Sequence, residues 1–236
     1  MKVELLQATP EPAKTVCKSA RNDYLDGWIH DMTYDEIMES VDGDTIEEKE
    51  KNLLTHLIKQ EHYGPTEHVH ASFSITGLSR VVMAQATRHR HLSWDIQSQR
   101  YVDFSDGSDY TIPKTFTDTE HFTRDDGVVD IEEEHLDFYE SVFQNNVETT
   151  IKDYEYLIGK GVPKEDARYI LPTAMQINAI MSGNLRALMH VVNMRSKGNV
   201  QGETREFAEK VSDEIQEWCP TIHAIFDEQM PMKLGL

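Results

Sequence analysis

The sequence predicts a mixed α/β chain of the α+β kind, a single domain with a central, mainly antiparallel sheet flanked by helices. Three observations lead there. Segments with apolar residues at helical spacing are interleaved with a segment whose apolar residues recur at every second position, no internal repeat or low-complexity linker divides the chain, and 236 residues suffice for one sizeable core. The expected unit is therefore residues 1–236.

Each element follows from its local pattern. Lys2 to Ala8 reads as a short first strand, and Pro12 to Arg21, Tyr34 to Val41 and Ile46 to His62 read as helices by periodicity. From Val69 to Ile75 the apolar Val69, Ala71, Phe73 and Ile75 alternate with His70, Ser72 and Ser74, the period of a half-buried strand. Ser79 is placed to cap a helix over Arg80 to Arg88, whose C-terminal, dipole-negative end would meet a run of cations. Gln99 to Phe104 reads as extended, Ser105 to Asp126 as turn-rich surface, and Glu132 to Ile158 as a long acidic amphipathic helix. Pro163 opens a helix carrying Ala167 and Arg168, Pro172 ends it, and Asn184 to Arg195 forms another. On a helical wheel Asn184 and Arg195 fall within about 20° of one stripe and about 16 Å apart along the axis, with Arg186 and His190 on the opposite side. The rest of that helix is apolar, so it should be buried, with two polar faces serving two ligands, one extended ligand, or sites shared between subunits.

Charge narrows the partners. With 42 acidic against 23 basic side chains and a net charge of −19, the surface as a whole repels nucleic acid and anionic membranes. That excess serves either as ordinary solubilising charge or as adaptation to a salty cytoplasm. Of ten arginines, those at positions 88, 90, 100, 168, 186 and 195 stand in motif-like segments. The run from Arg88 to Tyr101 gathers Arg88, Arg90 and Arg100 with histidines, hydroxyls and amides, and guanidinium forks held this close call for an anion between them. A small phosphorylated ligand fits better than a polymer. Cys17 and Cys219 lie far apart with no CxxC pair, and no signal peptide or membrane-length apolar run is evident, so a cytoplasmic location with reduced thiols is expected.

Two other classes compete. His62, His68, His70, His89 and His91 could surround a metal, but a catalytic zinc site needs three convergent ligands and the neighbouring arginines would repel the cation, so no metal is expected. A non-catalytic nucleotide sensor would keep the pocket without turnover.

The basic run resembles the R-H-R-x-x-S-x-N-x-x-S-x-R motif of flavin-dependent thymidylate synthases. Arg88, His89, Arg90, Ser93, Ser98 and Arg100 match six of its seven defined positions, and Asp95 stands where the pattern has Asn. Three further segments agree in order and spacing: His62-Tyr63-Gly64-Pro65-Thr66-Glu67-His68, Asp166-Ala167-Arg168 with Leu171-Pro172, and Asn184-Leu185-Arg186 with His190 and Arg195. The resemblance implies an α/β homotetramer whose active sites draw on several subunits. It implies dTMP formation from dUMP, with the methylene group from the folate 5,10-methylenetetrahydrofolate and a hydride from FAD reduced by the nicotinamide cofactor NADPH. By position, it implies dUMP contacts from Gln85, Ala86, Thr87, Arg88, Ile96, Gln97, Ser98, Gln99, Arg100, Arg168 and Arg195, some through main chain alone. FAD would meet Gly64, Arg88, His89, Arg90, Ile96, Asn184, Leu185, Arg186 and His190.

The chemistry can be derived separately. Methylation needs a nucleophilic uracil C5, which cysteine-dependent enzymes obtain by adding a thiolate to C6. Neither cysteine lies in these segments. Polarisation of the pyrimidine by a guanidinium is the alternative, and Arg195 is the candidate catalytic residue.

Overall fold

The computed structural model describes residues 1–105, 109–116, 123–124, 127–128 and 135–233. Four strands form one antiparallel sheet: β1 (Lys2–Ala8), β2 (His70–Ser79), β3 (Ser93–Ile96) and β6 (Gln176–Asn184), in the order β1-β2-β6-β3. A two-stranded ribbon, β4 (Thr123–Arg124) with β5 (Gly127–Val128), stands apart from it. The helices are α1 (Pro12–Asn22), α2 (Tyr34–Ile37), α3 (Ile46–Lys59), α4 (Arg80–Ala86), α5 (Leu136–Gly159), α6 (Lys164–Ala167), α7 (Leu185–Arg195), α8 (Gly202–Trp218) and α9 (Pro220–Lys233). The architecture is α+β, as the mixed periodicities predict.

Alternation decides which face of the sheet is covered. Val3 lies opposite Ile75, Phe73 opposite Met181, and Ile75 opposite Ala179, so the buried residues of three strands line up across the ladder. Burial of this face against α4, α7 and α8 supplies the dominant driving force for folding. The other face carries Ser72, Ser74, Ser93 and Ser182 and remains open. Near the end of β2 the register shifts between Ile75 and Leu78. Gly77 takes φ +75° there, a left-handed conformation that costs glycine little.

Two strand ends turn directly into helices, and each junction is capped. The Ser79 hydroxyl accepts from the Val82 N–H at 3.2 Å, and Asn184 Oδ1 accepts from the Ala187 N–H at 2.9 Å. His70 pairs with Asn184 and Ser79 with Gln176, so α4 and α7 set out from opposite ends of one strand pair. They meet at their C-terminal ends. α8 crosses the same covered face, burying Phe207, Ala208, Val211 and Ile215, and α9 packs against α3 and α8.

Several expectations shift. The strand expected over Gln99 to Phe104 lies earlier, at Ser93–Ile96, and Gln99 to Tyr101 form a turn closed by Val102 N–H to Ser98 O at 2.9 Å. Strand β6 was not anticipated. Asn184 precedes α7 as its cap and is not part of the helical stripe. The long helix begins at Leu136, and the first residues expected of it, 132–134, lie outside the described residues, as does part of the turn-rich surface segment. Among the described residues no helix is long and apolar enough to cross a membrane.

Candidate active site

The convergence of α4 and α7 builds the site. After Ala86 the chain makes consecutive turns, with His89 N–H bonded to Ala86 O and Leu92 N–H to His89 O, both at 3.1 Å. These turns present Arg88, His89, Arg90 and His91 on one side while Leu92 is buried beneath them. Leu92 rests on Gly183, where any added methyl would collide with it, so the glycine lets the loop lie close to β6.

A cavity of about 600 Å³ opens beside the loop, within the size range of small-molecule sites. Arg88, His89, Arg90, Asn184, Arg186 and His190 line it, together with Glu67, His91, Leu92 and Ala187. Six of the nine expected flavin-contacting residues are thus brought together. Gly64 lines a neighbouring cavity of about 990 Å³ that shares Glu67 and Asn184 with the first. Leu185 points into the core and can offer only main chain, and Ile96 is half-buried on β3. Glu67 pairs with Arg186, whose guanidinium also lies 5.7 Å from the Tyr63 ring. It was missed as a site residue although it stands within the histidine-rich segment, where an acid opposite an arginine was the available signal.

Arg195, in the last turn of α7, reaches across to α4. Its Nε–H donates to His89 Nε2 at 3.0 Å and its Nη2–H to the Gln85 carbonyl at 3.2 Å. The first bond requires an unprotonated His89 Nε2. Burial, then the Arg195 charge, then His190 push the His89 pKa down to about 4, so the imidazole is neutral near pH 7. Ala86 is buried, which leaves it main-chain contacts at most, and the Thr87 hydroxyl donates to Met83 O at 2.8 Å, which leaves its oxygen only as an acceptor.

The remaining expected nucleotide residues form a second group. Arg100 pairs with Glu165, and Arg168 Nε–H donates to the Glu165 carbonyl at 3.1 Å. Arg80, not anticipated, has its pKa lowered by burial and then by the nearby Arg168 charge. Gln97 is tied to β6, its Oε1 accepting from the Asn178 N–H at 3.0 Å, and Ser98 Oγ accepts from the Arg100 N–H at 3.2 Å. Gln99 is 4% exposed, and its buried Nε2 has no partner among the described residues. Among the described residues no hydrogen bond or ion pair joins this group to Arg195. Asp95 forms no ion pair there either, so it does not neutralise Arg88 or Arg90.

Neither thiol lines these cavities. Cys17 and Cys219 are buried, and burial is the chief cause that pushes each thiol up to about 12.

The comparisons agree with this geometry. Residues 4–221 match the family model described as "Thymidylate synthase complementing protein". A flavin-dependent thymidylate synthase of Halobacterium salinarum is 44% identical, over 98% of this chain and 96% of that protein. One of Haloarcula marismortui is 38% identical with the same coverage. Among solved structures, a UMP/dUMP methylase, PolB, from Streptomyces cacaoi bound with 5-Br dUMP superposes with a TM-score of 0.80, covering 96% of this chain and 94% of that one at 22% identity, which establishes likeness of fold. With the family model spanning most of its length and two relatives near 40% identity covering almost all of it, the chain belongs to the flavin-dependent thymidylate synthases.

Proposed function

We propose that this enzyme converts dUMP to dTMP, with 5,10-methylenetetrahydrofolate as carbon donor and NADPH as the source of reducing equivalents, in the cytoplasm. The observation that carries the reading is the Arg195 bridge. A guanidinium clamped between a neutral histidine and a main-chain carbonyl keeps Nη1 clear of protein partners among the described residues, while both thiols are buried and unreactive. Placed beside a pyrimidine, it favours the N3-deprotonated form and stabilises negative charge on the ring carbonyls, making C5 nucleophilic without covalent addition.

The flavin fits the larger constellation. Arg88, Arg90, Arg186 and His190 around a cavity of about 600 Å³, with Glu67 as the facing acid, suit the phosphates of an anionic dinucleotide. When bound and reduced, FAD supplies the hydride. His89 holds Arg195 in orientation, and Asn184 and Arg186 fix one wall of the cavity. Arg100 and Arg168, with Arg80 close by, suit a nucleotide phosphate, each charge-assisted bond contributing about 1.5–3 kcal/mol.

The proposed assembly is a homotetramer, in which residues of several chains would share one site. Exposed Phe138 and Val142 on α5, and Ile180 and Leu6 on β6 and β1, are apolar surface such an assembly would cover. Residues 1–236 act as one domain in this reading.

The test is the visible spectrum of the purified protein with and without dUMP, followed by dTMP formation with the full set of co-substrates. A flavin band perturbed by dUMP and dTMP production are expected. A protein that takes up no FAD and makes no dTMP would sink the reading.

A further inference from the structure

We infer that Gln201, held by Thr204, is a positioning residue that fixes the amide orientation of Gln85 at the nucleotide site. Gln201 immediately precedes α8, where a capping side chain is common, yet it makes no capping bond. Its Oε1 instead accepts two hydrogen bonds at 3.0 Å, from Gln85 Nε2 across 116 residues and from the Thr204 hydroxyl. Thr204 is fully buried, so its hydroxyl requires a partner, and Gln201 Oε1 is the acceptor it reaches. An amide oxygen has two lone pairs, and both are engaged.

The consequence falls on Gln85. A glutamine amide at a binding site can present its oxygen or its NH2 group with nearly equal ease. With Nε2 drawn to Gln201, Gln85 presents Oε1 and becomes an acceptor for an N–H or hydroxyl of the nucleotide. The same residue's carbonyl takes the Nη2–H of Arg195, so Gln85 is held at both ends. Two residues further along, Glu203 grips the other end of α4, accepting the Ser79 N–H at 3.0 Å and the Ser79 hydroxyl at 2.6 Å. The start of α8 thus cradles α4 from its cap to its last turn, a span of about 10 Å. Gln201 acts on the ligand through Gln85 and Arg195, without touching it.

The inference rests on the thymidylate synthase reading, and the experiment separates the two. In the flavin-loaded enzyme, dUMP affinity is read from the flavin spectrum, and KM and kcat from dTMP formation, for wild type, Gln201→Met, Gln201→Glu and Thr204→Val. Gln201→Met, of similar volume but with no oxygen acceptor, should weaken dUMP binding and raise KM by about tenfold or more while FAD remains bound. Gln201→Glu keeps an acceptor at the same place and should return both to within about threefold of wild type. Thr204→Val frees the Gln201 amide to turn and should shift dUMP affinity in the direction of Gln201→Met, which provides the test should the methionine variant not fold. Wild-type dUMP affinity in Gln201→Met or Thr204→Val, or a glutamate variant no better than methionine, overturns the positioning role while leaving the synthase reading intact. A wild-type enzyme that neither binds nor methylates dUMP overturns both.

Discussion

Replacing Arg195 by alanine tests the centre of the mechanism. The side chain lies at the end of α7 and makes two bonds, to His89 Nε2 at 3.0 Å and to Gln85 O at 3.2 Å, neither of which fixes the fold of the sheet. Its removal deletes a preoriented cation from a partly buried site, where loss of one such donor typically costs about 10²–10³ in rate, or roughly 2.7–4 kcal/mol. The expected result is therefore a fall in dTMP formation of about 10³-fold. Arg195 does not line the cavity that Arg88, Arg90 and Arg186 line, so FAD should stay bound in the variant. A second signature follows in His89. Its pKa of about 4 owes most to burial and next to the Arg195 charge, so in the variant it should rise but remain below 6.5, as followed by NMR titration of the imidazole. Activity within tenfold of wild type would remove Arg195 from the chemistry, and an unchanged His89 titration would show that the two groups do not meet in solution.

Other consequences can be checked separately. Changing Cys17 and Cys219 together to Ser should lower thermal stability, since each buried hydroxyl costs about 1–3 kcal/mol, yet leave kcat within about threefold; abolished turnover in a folded variant would restore a thiol to the mechanism. Because the folded pKa of His89 lies below its ordinary 6.5, the unfolded chain takes up the proton first as pH falls. Its contribution is complete above about 6.5 and is lost as pH falls toward 4, amounting to about 1 kcal/mol after solvent screening. Urea unfolding at pH 7 and pH 4.5 should accordingly show a smaller stability loss for His89→Gln than for wild type, and equal losses would refute this. If Arg168 holds the nucleotide phosphate as proposed, a contact common to ground and transition states, Arg168→Ala should raise KM for dUMP by about 10- to 100-fold, more than it lowers kcat; a pure kcat defect would argue against that placement.

The arginine cluster around the cavity was legible because arginines are conspicuous in an acidic chain, and clustered guanidinium groups repel one another unless an anion sits between them. Strand β2 was legible because its polar and apolar residues alternate cleanly. Strand β6 escaped because Ile180, on the open face and 40% exposed, breaks the alternation of Ile177, Ala179 and Met181. The misplaced strand had a different cause: Ser93–Ile96 is four residues long, too short for a period, and is held by pairing with β6, which the local pattern does not reveal. The wheel put Asn184 beside Arg195, whereas Asn184 is the cap and its oxygen belongs to the backbone of α7. Arg186 and Arg195 do face different surroundings, as their angular separation required. Gln201, Thr204 and Glu203 stand outside the segments that the motif and the arginine cluster mark, and Gln201 and Glu203 reach α4 through contacts over long sequence separations.

Asn184 lines three cavities, the one beside the arginine loop, the one under α1 that also holds Gly64, and a third of about 520 Å³ beside Ser72 and Ser182 on the open side of the sheet. One lone pair of its oxygen is committed to the Ala187 N–H, which fixes the amide's orientation and turns Nδ2, a donor group with two hydrogens, away from the helix start. Three compartments therefore draw on one amide that cannot turn without uncapping α7. Two occupants that both drew on this amide would, by thermodynamic reciprocity, change each other's affinity by the same factor. A side chain whose first duty is to start a helix thus stands where three cavities meet, so ligands held in any two of them would share one amide.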